Sequence, residues 1–267
     1  MRNVHVLSIL LVHCLIFSAL EATVELLYVI KEQAYQQFEN SHPDSPESWT
    51  FSTGALGDDQ LTAASITFPG DSEATPISGI PGEYELETAD FATQAELNTA
   101  YPDGSYTVSI TDNEINQDLG PFTLTGSAYP NVPHITNAVE LQASDHSQDF
   151  LLTWNAFLGY NTGDEVLIQV FDNTTDQNVL TDFVDASITS HIIPGGSFLP
   201  DRYYEVAVTF IGKTDAAQSE NIIVGYLTTT SYQLSTHTPV IRVCSSTSGA
   251  GKSRPVRIST VRRITAC

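Results

Sequence analysis

Oxygen-bearing side chains recur in the short polar segment 172–178, which stands between two apolar runs. Asp172, Asp176 and Asn178 occupy even positions of this segment, and carboxylate and amide oxygens are the ligands that Ca²⁺ prefers. The segment lacks the glycine and the final glutamate of the helix–loop–helix calcium pattern. The alternative is a polar hairpin turn that binds no metal. Calcium at Asp172, Asp176 and Asn178 is thus the one cofactor that the sequence suggests.

Two further short motifs point to modification or to phosphate binding. Asn173-Thr174-Thr175 is an acceptor sequence for N-glycosylation in a eukaryotic secretory route. Gly251-Lys252-Ser253 resembles the end of a phosphate-binding loop, but Ser246 stands where the first glycine of that loop is required. We therefore predict no nucleotide site.

No motif in the sequence indicates catalytic residues. The pattern Gly-x-Ser-x-Gly is absent, and the five histidines after residue 22 are not at metal-ligand spacing. Carboxylates are abundant, so pairs of the kind that hydrolyse glycosidic bonds arise by chance, and no particular pair is favoured. We predict a protein that is not an enzyme, and we keep a carboxylate-dependent hydrolase of extracellular polysaccharide as the alternative.

The charge of the chain is strongly negative and unevenly distributed. The net charge is −22 for 267 residues, and residues 23–233 carry 31 acidic side chains against three basic ones. Such a surface repels phosphate backbones, so we predict that the protein binds no nucleic acid. A salty exterior, where ions screen charges within about 8–10 Å, would relieve the self-repulsion.

Residues 1–22 have the features of a secretory signal peptide. Arg2 precedes an apolar run from Val4 to Leu20, and small residues for cleavage follow. The alternative is an uncleaved N-terminal anchor. After cleavage only Cys244 and Cys267 remain, so the folded part cannot depend on disulfide bonds. We predict a secreted, extracellular protein with no membrane span after cleavage.

Alternation of apolar and polar residues predicts β-strands in residues 24–130. Trp49 and Phe51, for example, alternate with serine and threonine. The capping box Thr93-Gln94-Ala95-Glu96 predicts one short helix. We therefore predict a small β-sandwich domain over residues 24–130, and a stiff linker at residues 129–133, where two prolines stand close together.

The second half of the chain resembles a known family. Leu152-Thr153-Trp154-Asn155 resembles the second strand of a fibronectin type III domain, and residues 166–172 resemble its third strand. The run from Leu199 to Val206 resembles the approach to the sixth strand, in which a tyrosine hydroxyl bonds back to the chain. The resemblance implies an immunoglobulin-like sandwich over residues 131–233, with a core that contains Trp154, Leu199, Tyr204 and Val206.

The first half resembles the small β-domains that precede such modules in bacterial secreted proteins. Together the two resemblances imply an all-β fold of two tandem β-sandwich domains, the second of the fibronectin type III type.

The tail, residues 234–267, reverses the composition of the chain. It contains no acidic residue and six of the ten basic ones. One interpretation is a basic arm that contacts an anionic partner or the acidic domains of the same chain. The other is a segment that is not native coding, such as a shifted reading frame. Both interpretations predict little fixed structure.

Two aromatic residues, Phe157 and Tyr160, lie in a predicted loop of the second half. Aromatic rings in such a loop could stack on a sugar or fill a pocket of a partner. The domain type and the absence of catalytic motifs favour a secreted interaction or scaffold protein that binds a glycan, matrix or protein partner. A purely structural spacer is the remaining alternative.

Overall fold

The structure is a computed structural model that describes residues 24–112, 114–126, 128–214 and 222–237. Strands predominate among these residues, so the predicted all-β fold is confirmed. The predicted signal peptide and the part of the predicted tail after His237 lie outside the described residues. Within them, neither of the two helices has the length and apolar character needed to cross a membrane.

The first half forms strands where the sequence alternates, and one helix where the capping box stands. The Thr93 hydroxyl accepts from the backbone of Glu96, and the Glu96 side chain accepts from the backbone of Thr93, as predicted. The elements are β1 (Val24–Gln37), β2 (Ser48–Gly57), β3 (Leu61–Thr67), β4 (Thr75–Ile77), β5 (Gly79–Ile80), β6 (Glu83–Glu87), α1 (Gln94–Ala100), β7 (Gly104–Asp112) and β8 (Ile115–Leu124).

The second half begins with an isolated bridge between Ile135 and Trp154. A short helix that the sequence did not predict follows it. The elements are α2 (Ala138–Ala143), β9 (Phe150–Thr153), β10 (Glu165–Asp172), β11 (Gln177–Asp185), β12 (Ser190–Ile193), β13 (Tyr203–Lys213) and β14 (Ile222–Ser235). If the bridge at Ile135 is counted as the first strand, β9, β10 and β13 are the second, third and sixth strands, which is the order that the resemblance implies.

The two halves share one sheet of eight strands, in the order β11-β10-β13-β14-β1-β2-β6-β5. Its centre is the parallel pair of β1 with β14, in register from Leu27–Ile222 to Gln37–Tyr232. The described residues therefore lie in one compact unit. The sequence led us to expect two separate sandwiches in tandem. It could not show the shared sheet, because the alternation in β1 identifies a strand but does not identify the strand that pairs with it.

Two smaller sheets cover the same face of the shared sheet. One has the order β4-β3-β7-β8 and the other pairs β12 with β9. Both small sheets lie on the same face, because side chains at even positions of β14 point to one side of the strand and contribute to both cores. Val224 and Tyr226 belong to the core under β3 and β7, whereas Tyr232 and Leu234 belong to the core under β9 and β12.

The linker crosses this face between the two cores, and buried polar side chains of β1 and β14 hold it. The carbonyl of Pro130 accepts from Thr228 Oγ1 at 2.8 Å, and the carbonyl of Pro133 accepts from Thr230 Oγ1 at 2.7 Å. Gln37 binds both backbone groups of Ile135, at 2.6 Å and 2.9 Å. Each bond satisfies a group that would be costly to bury unpaired.

The predicted tail begins too early in the sequence. Leu234 is buried in the core of the second half, and β14 continues to Ser235. Thr236 still donates to the carbonyl of Leu199 at 2.6 Å. The loss of acidic residues after position 233 therefore does not coincide with the end of the last strand.

Candidate functional site

A cleft of about 390 Å³ lies where the linker, the loop between β9 and β10, and the adjoining ends of β13 and β14 meet. This volume is in the range of small-molecule sites. Residues from both predicted halves line it, among them Tyr129, Asn131, Leu158, Asn161, Lys213 and Thr214.

The side chain of Asn131 ties the linker to the loop. Its Oδ1 accepts from the backbone N–H of Leu158 at 2.6 Å, and its Nδ2 donates to the carbonyl of Ala156 at 3.1 Å. Because one amide group bridges two backbone groups of the loop, the two walls of the cleft are fixed to each other.

Asp164 performs the same task at the other end of the loop. Its carboxylate accepts from the backbone N–H of Asn161 at 2.7 Å and from that of Lys213 at 2.8 Å. The ammonium group of Lys213 lies 2.9 Å from the carboxylate of Glu165. The charged groups at the cleft are therefore engaged in holding its shape.

The loop carries the two aromatic residues that the sequence singled out, in different roles. Phe157 is buried and stacks on Phe210, with ring centroids 4.8 Å apart and planes 3° from parallel. Leu158 and Tyr160, on either side of Gly159, are exposed by 68% and 45%. Phe157 thus anchors the loop, and Leu158 and Tyr160 expose apolar surface beside the cleft.

Tyr129 is the linker residue with an unusual environment. Its ring makes edge contacts with Trp49 and Tyr226, at centroid distances of 5.0 Å and 4.9 Å. Its hydroxyl is buried, and among the described residues no hydrogen-bond partner reaches it. Burial, with the neighbouring Tyr226, holds the pKa of this phenol well above its usual range.

The calcium candidates lie about one strand length away from the cleft, at the turn between β10 and β11 and on the strand residues beside it. Asp172 is buried, and its Oδ1 accepts from the backbone N–H groups of Thr174 and Thr175, at 2.9 Å and 3.2 Å. Its Oδ2 pairs with the guanidinium of Arg202. Burial alone would raise the pKa of Asp172, but the pairing with Arg202 and the N–H groups bring it below the usual range.

The other two candidates are exposed, Asp176 in this turn and Asn178 at the second residue of β11. Asp176 has the left-handed backbone angle φ 58°, and Asn178 contacts the hydroxyl of Thr181. The described residues contain no group of three or more His, Cys, Asp or Glu side chains that could hold a metal ion. Calcium at this hairpin stays a prediction, and it is one that the existing partners of Asp172 do not favour.

Three of the four predicted core residues are buried in the second half: Trp154, Tyr204 and Val206. The prediction for Leu199 is wrong, since its side chain is 45% exposed. Its neighbour Phe198 takes the core position, with its ring 5.1 Å from that of Tyr204. What Leu199 contributes is its backbone N–H, which donates to the Tyr204 hydroxyl.

Sequence reasoning did not find the roles of Asn131 and Asp164. Each side chain binds backbone groups of a loop or of a residue that is distant in the sequence, so no sequence pattern predicts its role. The exposed aromatic loop was the signal that the sequence did offer.

Comparisons with known proteins identify no family for this chain. No family model matches it, and no curated protein matches it. Solved structures with a partial likeness include a chain of a cytokine receptor complex, with 13% identity, a TM-score of 0.27, and coverage of 69% of this chain and 91% of that one. The FN1–FN3 domains of chicken CNTN1 share 11% identity at a TM-score of 0.28, with coverage of 82% and 67%.

A third structure, the BSP domain of a biofilm associated protein, shares 10% identity at a TM-score of 0.25. The match covers 80% of this chain but 30% of that one.

Proposed function

We propose that the protein is a non-catalytic, extracellular interaction module that binds a glycan or protein partner at the cleft between the linker and the β9–β10 loop. The observation that carries the proposal is the loop beside the cleft. It is anchored by Phe157 and still exposes Leu158 and Tyr160. An exposed apolar pair on a fixed loop can contact a partner without paying much ordering entropy.

The engagement of the charged groups supports binding over chemistry. Asp164 is held by two backbone N–H groups, and Lys213 is paired with Glu165. A general acid or base must be within hydrogen-bond reach of the proton that it transfers. Both groups already have partners that maintain the cleft, so their role here is structural.

The charge of the chain narrows the class of partner. The 31 acidic residues among residues 23–233 repel anionic polysaccharides and favour a neutral glycan or a basic protein surface. Binding to a basic partner should weaken with salt, whereas binding to a neutral glycan should not.

The test is a screen of the full chain on an array of neutral and anionic glycans and on immobilised extracellular proteins, followed by calorimetry with each hit. Tyr160→Ala and Leu158→Ala should each weaken the binding about tenfold. The matched control is Ile115→Ala, which removes an apolar side chain that is 60% exposed on β8. Its affinity should equal that of the unaltered protein.

Three results would overturn the proposal. Saturable binding that is unaffected by Tyr160→Ala and Leu158→Ala would place the site elsewhere. Absence of binding together with turnover of a polysaccharide in a glycosidase panel would favour the hydrolase, and absence of both would favour a spacer.

A further inference from the structure

The turn between β10 and β11 contains the one Asn-x-Ser/Thr sequence of the chain, Asn173-Thr174-Thr175. Residues 173–176 form the turn itself, and Asn173 is exposed there. An acceptor asparagine needs this kind of position, because the transferring enzyme must reach its amide.

The backbone of the turn is fixed while the amide of Asn173 remains accessible. Asp172 holds the N–H groups of Thr174 and Thr175, and the N–H of Asn173 donates to the carbonyl of Tyr203 at 2.9 Å. The side-chain nitrogen of Asn173 lies 3.4 Å from Oε1 of Gln233, at the long limit of a hydrogen bond. Modification of the amide would therefore break no strong contact of the fold.

We propose that Asn173 is a site of N-glycosylation when the chain passes through a secretory route that carries a lipid-linked oligosaccharide. In this transfer, the amide nitrogen forms a bond to the anomeric carbon of the first sugar. The bond from that carbon to the lipid diphosphate oxygen breaks, the lipid diphosphate leaves with the electron pair, and the amide gives up one proton. The Thr175 hydroxyl belongs to the acceptor sequence that the enzyme recognises.

The position of Asn173 in the fold determines which surfaces a glycan there would cover. Asp164, at the cleft, directly precedes β10, and Asn173 directly follows it, so the two lie about 30 Å apart at roughly 3.3 Å per residue. A glycan at Asn173 would leave the cleft open. It would also stand in the turn that leads into β11, an edge strand of the shared sheet. Edges of this kind promote association unless they are covered.

The test is expression of the full chain with its own leader in insect cells, followed by mass spectrometry of the peptide that contains Asn173, before and after treatment with a peptide-N-glycosidase. We expect one oligosaccharide at Asn173, released by the glycosidase with conversion of the residue to aspartate. Asn173→Gln and Thr175→Ala should each abolish the modification. The control Asn178→Gln, in the same hairpin but outside the acceptor sequence, should retain it.

If the predicted signal peptide does not export the chain, residues 1–22 are replaced by a leader of proven activity and the measurement is repeated. Exported protein in which Asn173 is unmodified would overturn the proposal. So would a modification that persists in Thr175→Ala.

Discussion

The hydroxyl of Tyr204 accepts a hydrogen bond of 2.7 Å from the backbone N–H of Leu199. This bond closes the turn that leads into β13, and the ring of Tyr204 is fully buried beneath it. Tyr204→Phe keeps the ring but leaves the N–H without this partner. Since Leu199 is partly exposed and a typical hydrogen bond contributes about 0.5–1.5 kcal/mol net, we expect the free energy of unfolding to fall by that amount.

The matched control is the neighbouring residue. Tyr203 is 54% exposed, and its ring contact with His237 survives the loss of the hydroxyl. Tyr203→Phe should therefore change the free energy of unfolding, measured in urea, by less than about 0.5 kcal/mol. Equal effects of the two substitutions would contradict the role assigned to the Tyr204 hydroxyl.

A second prediction concerns the close approach of β13 and β14 beside the cleft. A Cβ atom at Gly225 would lie 2.1 Å from the carbonyl oxygen of Gly212, which is backbone and cannot rotate away. We expect Gly225→Ala to destabilise the protein by about 2 kcal/mol or more. Gly212→Ala is the control, because the atom nearest to its Cβ would be Cγ of Pro130 at 3.3 Å. A thermal melt in which Gly212→Ala is the more damaging variant would contradict this geometry.

The strands could be predicted because their signal is local, whereas the tyrosine contact was implied by the family resemblance and parity only selected the tyrosine. Alternation with period two marks a strand, and Tyr204 shares the parity of Val206, so both enter the same core. The error at Leu199 arises at the turn that precedes β13. There the alternation stops, and parity no longer tells whether Phe198 or Leu199 points inward.

The pairing of β1 with β14 could not be predicted, because hydrophobic alternation does not name the partner of a strand. Gln33 Nε2 donates to Thr228 Oγ1 at 2.7 Å across 195 positions of sequence. In the sequence, polar residues at core-facing positions indicate weak strands. In the structure, the side chains of Gln33 and Thr228 both donate to the carbonyl of Pro130, so this buried linker group has hydrogen-bond partners. The cleft was unpredictable for the same reason, since the linker that forms its wall is placed by this long-range pairing.

A third prediction concerns Glu32, which is buried in β1. Burial raises its pKa to about 7, the hydrogen bond from Thr229 acts against this, and the charges of Glu87, Asp90 and Glu205 raise it further. The pKa in the folded state thus exceeds the ordinary value of 4.5. The folded state therefore favours the neutral form of Glu32. The stability that this preference contributes is fully present below about pH 4.5 and is lost as the pH rises through about 7.

Glu32→Gln removes the charge at all pH values. We expect it to raise the free energy of unfolding by about 3 kcal/mol at pH 8, since each pKa unit corresponds to about 1.4 kcal/mol, and to change it much less at pH 5. Urea unfolding at the two pH values checks this. Glu25→Gln, at an exposed position of the same strand, is the control. An effect of Glu32→Gln that did not depend on pH would contradict the prediction.

The last prediction follows from the shared sheet, in which neither half can lose its strands without exposing an edge of the other. Unfolding the first half would remove β1 from β14, and with it the Gln37 side chain that binds both backbone groups of Ile135. We therefore expect the two halves to unfold in a single cooperative transition. The chain supplies a reporter for each half, because Trp49 lies in the first core and Trp154 in the second, and the sequence contains no other tryptophan.

The measurement uses the single-tryptophan variants Trp154→Phe and Trp49→Phe, whose fluorescence reports on the first and second half respectively. Each substitution lowers stability by its own amount, so circular dichroism is recorded on the same sample as an internal reference for the whole fold. In each variant, the fluorescence and dichroism midpoints in urea should coincide. Separate midpoints in either variant would show that the halves unfold independently, as the tandem arrangement expected from the sequence would require.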